Sequence, residues 1–594
     1  MNPKVTDAGE PAEREIRTAT LSLMAFVVGL VAAGGAVIFR ALISIVHNAF
    51  FLGTFGLSYN ANVYDPPSPM GPFIILAPVI GGLVVVWLVK TWAPEAKGHG
   101  VPEVMYAIYH GAGHVRGIVA VVKSLASAIS IGSGASVGRE GPIIQIGASF
   151  GSTFARMTKL VRWQRITLLS AGAGAGIAAT FNTPLGGVLF AVELLLPEVS
   201  GRTFLPVVVA TATATYVGRV VLGLEPAFLV PLATFDAQEA VNPVQLIGYG
   251  ILGVLAGVGS WAFVRTLAFS EDFFPKMFKN DYIQNIVGMT LVGALSYGFF
   301  LHTGHYETAS VGYSTIQSIL VGGKTGIMLL ALLFVGKLLA TSISLGAGAS
   351  GGVFSPSLFL GASLGAMVGA AGMMLFPDQG FHVEEFAVVG MGAMVGGATS
   401  AAMTAIVMIF EMTRDYNVIV PLVFAVAVSV GIRRWLIEDD IYTIKLRHRG
   451  KRIPINRHTN MYLIQPAGEL MTKVFKTISA DARVPEAIRV LGLDKASHLV
   501  MSEGNHIAGY MRPNRMIYEL EPDSDETIRQ FMRTDFVIAR ETDTMNDVIT
   551  RMNRHKVKIA LVVSNKTGVP RIDDVSGIID VRELASAVVE NHYA

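Results

Sequence analysis

One 22-residue peptide is written twice in this chain. Residues 130–151 read SIGSGASVGREGPIIQIGASFG and residues 344–365 read SLGAGASGGVFSPSLFLGASLG. At a constant offset of 214 they share Ser130/Ser344, Gly132/Gly346, Gly134/Gly348, Ala135/Ala349, Ser136/Ser350, Gly138/Gly352, Pro142/Pro356, Gly147/Gly361, Ala148/Ala362, Ser149/Ser363 and Gly151/Gly365, or 11 identities in 22 positions. A second related pair follows, GAGAGIAATFNTPLGGVLFAVE (172–193) and GMGAMVGGATSAAMTAIVMIFE (390–411), each ending on a glutamate. Apolar segments interrupted by Gly and Pro at matching places in two halves are how membrane proteins build a transport site from broken helices. The copies differ where charge matters: Arg139-Glu140 stands opposite Val353-Phe354.

Composition supports a membrane body with a soluble tail. The chain of 594 residues is 52% hydrophobic, with mean hydropathy +0.52, above the range of soluble domains. Of its 90 charged residues, 39 fall in the last 144. That tail carries 20 basic and 19 acidic residues and the whole chain only +2, so no nucleic-acid partner is expected. Cys is absent, which removes disulfides and thiolate chemistry. The N-terminal stretch MNPKVTDAGEPAEREIRTAT is charged and has no signal-peptide core, so it reads as a cytosolic segment. The basic run at 433–452 flanks the last apolar stretch and places the tail on the same side.

Spanning candidates of about 20 apolar residues occur near 20–45, 72–92, 245–268, 281–301 and 326–345. The stretches 98–110, 117–134, 140–158, 163–178, 183–197, 355–376, 384–397 and 400–413 are apolar with Gly or Pro at their ends. Many of them are too short to cross a hydrocarbon core of ~30 Å. The tail holds a repeat of its own, two units of strand, helix, strand, turn and strand. Asp481 and Asp543 are the expected N-caps of the two amphipathic helices. The fold class is thus an all-α polytopic membrane protein with inverted-repeat broken helices, plus a cytosolic α/β pair. Its divisions are an N-terminal segment 1–19, a membrane domain 20–450 (halves about 20–230 and 240–447), a linker 451–466, and modules at 467–518 and 526–590.

Glu140 is the leading candidate for chemistry. It is the one acid in the duplicated turns and lies in the first turn of a helix that Pro142 helps to start. Helix N-termini favour anions, so its carboxylate can occupy an anion site and leave it on protonation. The uncharged counterpart GGVFSP still offers backbone N–H groups at a helix start. His99, in GHGVPE, opens another short helix; it either donates an N–H to an anion or is a loop histidine bonded to backbone. Tyr442 reads either as an interfacial anchor or as a ligand. Glu193 and Glu411, matched by the repeat, point to a shared structural role ahead of the alternative, a proton relay. Lys123 either offsets charge near Glu140 or snorkels to the interface.

The ordered set GHGVPE (98–103), GREGP (138–142), GGVFSP (351–356) and Tyr442 resembles the CLC chloride channel and transporter family over roughly residues 20–447, and the tail resembles a pair of CBS modules. The resemblance implies a homodimer in the bilayer, each subunit with its own pathway, and an inner bacterial membrane with both termini cytosolic. It implies Glu140 as the gating glutamate, with His99, Arg139, Gly141, Val353, Phe354 and Tyr442 as anion-binding residues. It departs from the family in three places. The central Ser of the family is His99 here. Leu194 stands where the family's antiporters commonly carry an internal glutamate, which leaves no proton relay there. In the tail, Arg512 to Arg515 and Asp580 to Glu583 replace the nucleotide pattern, and an Asp opposes phosphate; no cofactor is expected.

These features favour a glutamate-gated chloride pathway uncoupled from protons, with chloride as substrate and chloride/proton antiport as the alternative; voltage gating is implied by the resemblance alone. A fluoride exporter of the same fold fits less well, since Pro142 and Phe354 are present. A CBS-regulated magnesium channel would need several carboxylates in octahedral array, and no apolar span pairs two acids at helical spacing. No metal motif, nucleophile elbow or phosphate loop points to an enzyme.

Overall fold

The computed structural model describes residues 13–223, 227–230, 243–451, 453, 463, 465–494, 497–512, 526–564 and 568–580. Residues 1–12 of the N-terminal segment, most of the 451–466 linker, Arg515 and Glu583 lie outside them. The chain separates into two compact units, Met1–Lys451 and Arg452–Ala594.

The first unit is helical. Its helices are α1 (Thr18–His47), α2 (Ala77–Trp92), α3 (Val101–Tyr109), α4 (Gly117–Gly132), α5 (Glu140–Met157), α6 (Arg162–Phe181), α7 (Pro184–Phe190) and α8 (Gly201–Leu222) in the first half. The second half holds α9 (Pro243–Met277), α10 (Asp281–Thr303), α11 (Tyr313–Leu320), α12 (Ile327–Gly346), α13 (Phe354–Leu375), α14 (Val383–Thr399), α15 (Ala402–Thr413), α16 (Ile419–Leu436) and α17 (Thr443–His448). Eight helices among the described residues are long and apolar enough to cross a membrane. They include α8, α13 and α16 besides the five expected from sequence. Side chains such as Met328, Tyr216 and Trp435 are exposed on these helices, as lipid-facing residues are.

The stretch 355–376 is not a short broken segment but a continuous helix of 22 residues. Its glycines mark helix crossings rather than ends. A Cβ on Gly361 would lie 2.3 Å from the Gly390 carbonyl oxygen, and the first copy repeats the contact, with Gly147 2.1 Å from the Gly172 oxygen. The duplicated glycines therefore set two matching close crossings, α5 on α6 and α13 on α14, by small-residue packing.

The copies also bond to each other reciprocally. Gly138 N donates to Gly352 O at 2.7 Å and Gly352 N donates back to Gly138 O at 2.5 Å. Ser350 N donates to Ser130 Oγ and Ser136 N to Ser344 Oγ, each at 3.1 Å. Ser127 pairs with Ser350, and Ser136 with Thr341, through their hydroxyls. Lys123 is fully buried and donates to Ala96 O and Gly98 O at 2.9 and 2.6 Å. Its mate at the same offset, Lys337, donates to Thr308 O and Ser310 O. Lys123 thus neither snorkels to an interface nor pairs with Glu140; each lysine ties down the loop ahead of a short helix.

The second unit holds α18 (Ala467–Leu470), β1 (Phe475–Ser479), α19 (Val484–Asp494), β2 (His498–Glu503), β3 (His506–Met511), β4 (Phe536–Arg540), α20 (Met545–His555), β5 (Ile559–Val563) and β6 (Val575–Asp580). The two sheets run β1-β2-β3 and β4-β5-β6, the first pair of each parallel and the second antiparallel. The modules interlace: Ala467 packs in the core under β4 and β5, while Ile528 packs in the core of the first module. The cap of α20 is Thr544, whose Oγ1 accepts from Asp547 N, and not Asp543, which binds Arg540 N and Arg551. Asp481 pairs with Arg529 instead of capping. Arg529 bonds Glu503 and Asp481 together, and both acids hold its guanidinium above its usual pKa.

Candidate functional site

Three glycine-rich loops meet in the middle of the first unit, and their backbone contacts explain their composition. At Gly141 a Cβ would sit 2.2 Å from the His99 carbonyl oxygen and 3.0 Å from Gly352 Cα. Gly100, at φ +81°, would place one 2.7 Å from Gly141 O. No side chain fits at these contacts, so His99, Gly141 and Gly352 are drawn together, and α3, α5 and α13 start from neighbouring points.

Glu140 is the first residue of α5 and is 1% exposed. Its carboxylate reaches across to the start of α13, where Ser355 N donates to Oε2 at 3.2 Å and Ser355 Oγ donates to Oε1. Tyr313 Oη donates to the same Oε1 and lies 3.0 Å from Ser355 Oγ. A buried negative charge is thereby met by one backbone N–H at a helix N-terminus and two hydroxyls, which are anion ligands by chemistry. Arg139 turns away from the carboxylate. Its guanidinium stands 5.0 Å from the Tyr313 ring centre and 5.9 Å from that of Phe181, and Phe181 lies 5.9 Å from Phe354. Arg139 also lines two small cavities with Arg40 from α1, each of about one water's size.

On the other side of the loops, His99 is buried and neither ring nitrogen makes a hydrogen bond. The reading as a loop histidine bonded to backbone therefore fails. The Tyr442 ring lies 6.2 Å from that of His99 and is 1% exposed, so Tyr442 is not an interfacial anchor. Val353 caps α13 and Phe354 begins it, both buried. The structure thus gathers His99, Glu140, Gly141, Val353, Phe354 and Tyr442 about the three loops, with Arg139 toward α1.

Tyr313 escaped the sequence reading, although a signal was there. At the offset of 214 His99 falls on Tyr313, and the preceding Gly98 and Gly312 both hold a positive φ, +79° and +78°. Each half therefore puts a polar ring at the start of a short helix.

The paired glutamates are structural, as their match suggested. Glu193 accepts from Met403 N at 3.2 Å and from Thr404 N and Oγ1 at 2.8 and 2.7 Å. Glu411 accepts from Leu185 N and Gly186 N at 3.1 and 2.7 Å. Each thus caps the short helix of the opposite half, α15 or α7. Leu194, next to Glu193, is buried.

Comparison with known proteins agrees with this geometry. The family model described as voltage gated chloride channel matches residues 81–434, and a CBS domain model matches 528–590. The H(+)/Cl(-) exchange transporter ClcA of Vibrio cholerae serotype O1 (strain M66-2) is 33% identical over 371 residues, 61% of this chain and 76% of that protein. A solved slow cyanobacterial Cl-/H+ antiporter matches with TM-score 0.61 and 25% identity over 73% of this chain and 98% of its own. A eukaryotic CLC transporter, 20% identical, matches in fold with TM-score 0.58 over 95% of this chain and 97% of its own. With its duplicated broken helices meeting at a buried carboxylate, the chain belongs to the voltage gated chloride channel, or CLC, family of integral membrane transport proteins.

Proposed function

We propose that this protein exchanges chloride for protons across a bilayer, with Glu140 as the moving gate. The observation that carries this is the Glu140 carboxylate held by Ser355 N, Ser355 Oγ and Tyr313 Oη at the start of α13. A site that holds a carboxylate this way also suits a halide, and protonation of the carboxylate would free the place. The names of the Vibrio cholerae relative and the cyanobacterial structure support exchange over simple conduction. His99 and Tyr442 would face the inner end of the same path, with backbone N–H groups of Val353 and Phe354 and the Gly141 turn between. The protein would work as a homodimer in a bacterial inner membrane, both termini in the cytosol.

Proton-uncoupled chloride conduction is the second reading, favoured by the buried Leu194 beside Glu193. Reversal potential in planar bilayers under symmetrical chloride and a pH gradient separates them. Exchange shifts the potential toward a fixed anion-to-proton ratio; conduction leaves it near zero.

A further inference from the structure

Exchange needs a proton to reach Glu140 from the inner side, and Leu194 cannot carry one. A carboxylate does stand near that end of the path, on α9. Glu271 Oε1 lies 3.8 Å from His99 Nε2, about 1 Å beyond a hydrogen bond. Their exposures differ in the useful sense: the Glu271 side chain is 19% exposed and that of His99 0%. One therefore touches water while the other is sealed inside. Both ring nitrogens of His99 are buried without hydrogen bonds, so in the neutral ring one nitrogen has a hydrogen to give and the other a lone pair to accept a proton. On its far side the ring neighbours Tyr442 at 6.2 Å.

The charges facing this pair come from several elements. Lys445 of α17 lies 3.2 Å from the same Glu271 oxygen. Lys123 of α4 donates to Gly98 O beside His99, and Arg449 is paired with Glu103 of α3 at 2.7 Å. Burial first, and then these cations, work against an imidazolium that lingers, and a ring that kept the proton would not pass it on. Lys445 holds the Glu271 side chain in place.

We propose that Glu271 and His99 form the inner proton path of this exchanger, doing together what the missing acid at Leu194 does elsewhere; this rests on the exchange reading above. Protonated Glu271 gives its proton to Nε2, so its O–H bond breaks as the N–H forms. The imidazolium then releases the Nδ1 proton toward the anion site, where the Glu140 carboxylate, freed from Ser355 and Tyr313, accepts it. His99 is left neutral with the proton on the other nitrogen, and a ring flip resets it. One proton moves per pass and no electron does.

The test uses the full-length protein in phosphatidylethanolamine/phosphatidylglycerol liposomes, with chloride and proton fluxes read in parallel. In wild type a chloride gradient should drive uphill proton movement. E271Q keeps the side chain's shape and should cut proton flux about tenfold or more while chloride flux stays near wild type. E271D, which keeps an acid, should retain most of the proton flux, and H99S should lower the ratio of proton to chloride flux whatever it does to chloride flux itself. An E271Q protein with an unchanged chloride-to-proton ratio overturns the path while the exchange reading stands. Equal loss of both fluxes in E271Q and E271D makes Glu271 structural and overturns it as well. Wild type moving chloride with no proton movement overturns the exchange reading itself, and the path with it.

Discussion

Glu140 places a carboxyl group in a dry place, which is costly unless donors meet it. Three donors do, and each belongs to the second half of the chain. Glu140→Gln removes the charge and should raise chloride flux and flatten its pH dependence, read as radiotracer or electrode-detected efflux from liposomes. Unchanged flux and pH response would show that the carboxylate does not block the path. Tyr313→Phe removes a single hydroxyl. A hydrogen bond to a charged group is worth about 1.5–3 kcal/mol, so the released form of Glu140 should gain about tenfold or more and chloride flux should rise with it. On the Glu140→Gln background the same change should matter far less. Glu140 was legible in the sequence because it is the acid in a turn written twice. Tyr313 was hidden because only the glycine before it is shared with its counterpart at His99. Glu271 sits in a 35-residue apolar helix, where a charge near the end looks like an interface residue.

At the scale of elements, the duplicated motif builds a reciprocal clasp: Glu193 caps α15 and Glu411 caps α7. Removing an N-cap acceptor costs about 0.5–2 kcal/mol, and a buried one leaves N–H groups without partners. Glu411→Ala should therefore lower the melting temperature of detergent-solubilised protein by several degrees. Glu193→Ala should do the same, and the pair should change the ratio of chloride to proton flux little. A large change in that ratio would give one of them a place in proton transfer. The spans α8 and α13 were harder to read than the tail. Gly361 and Gly365 look like breaks in α13 until one sees the Gly390 and Phe386 carbonyls against them. Pro206 does the same in α8, where it sits inside the helix. The tail's alternation of strand and helix was plain because amphipathic periods survive there. Its caps were misplaced because Asp481 and Asp543 are both taken up by arginines.

For the whole molecule, the two units carry different expectations. Asp580 of β6 is bound by Arg512 and lies 3.5 Å from His498 Nε2, so its charge is already answered and would meet a phosphate as a like charge. ATP in the millimolar range should therefore leave the melting curve of the full-length protein where it was. A ligand at a hundred times its dissociation constant would add about 2.7 kcal/mol, an easily seen shift, and seeing it would place a nucleotide in the tail. The membrane unit has a different history written into it. The most distant donors to Glu140 and Glu193, Ser355 and Thr404, lie 215 and 211 positions further on. At about 5–20 residues per second, a ribosome needs roughly 10–40 s to supply them. Until they are made, the first half lacks the partners its carboxylates have in the structure, so within the membrane unit the site cannot close before the second half arrives.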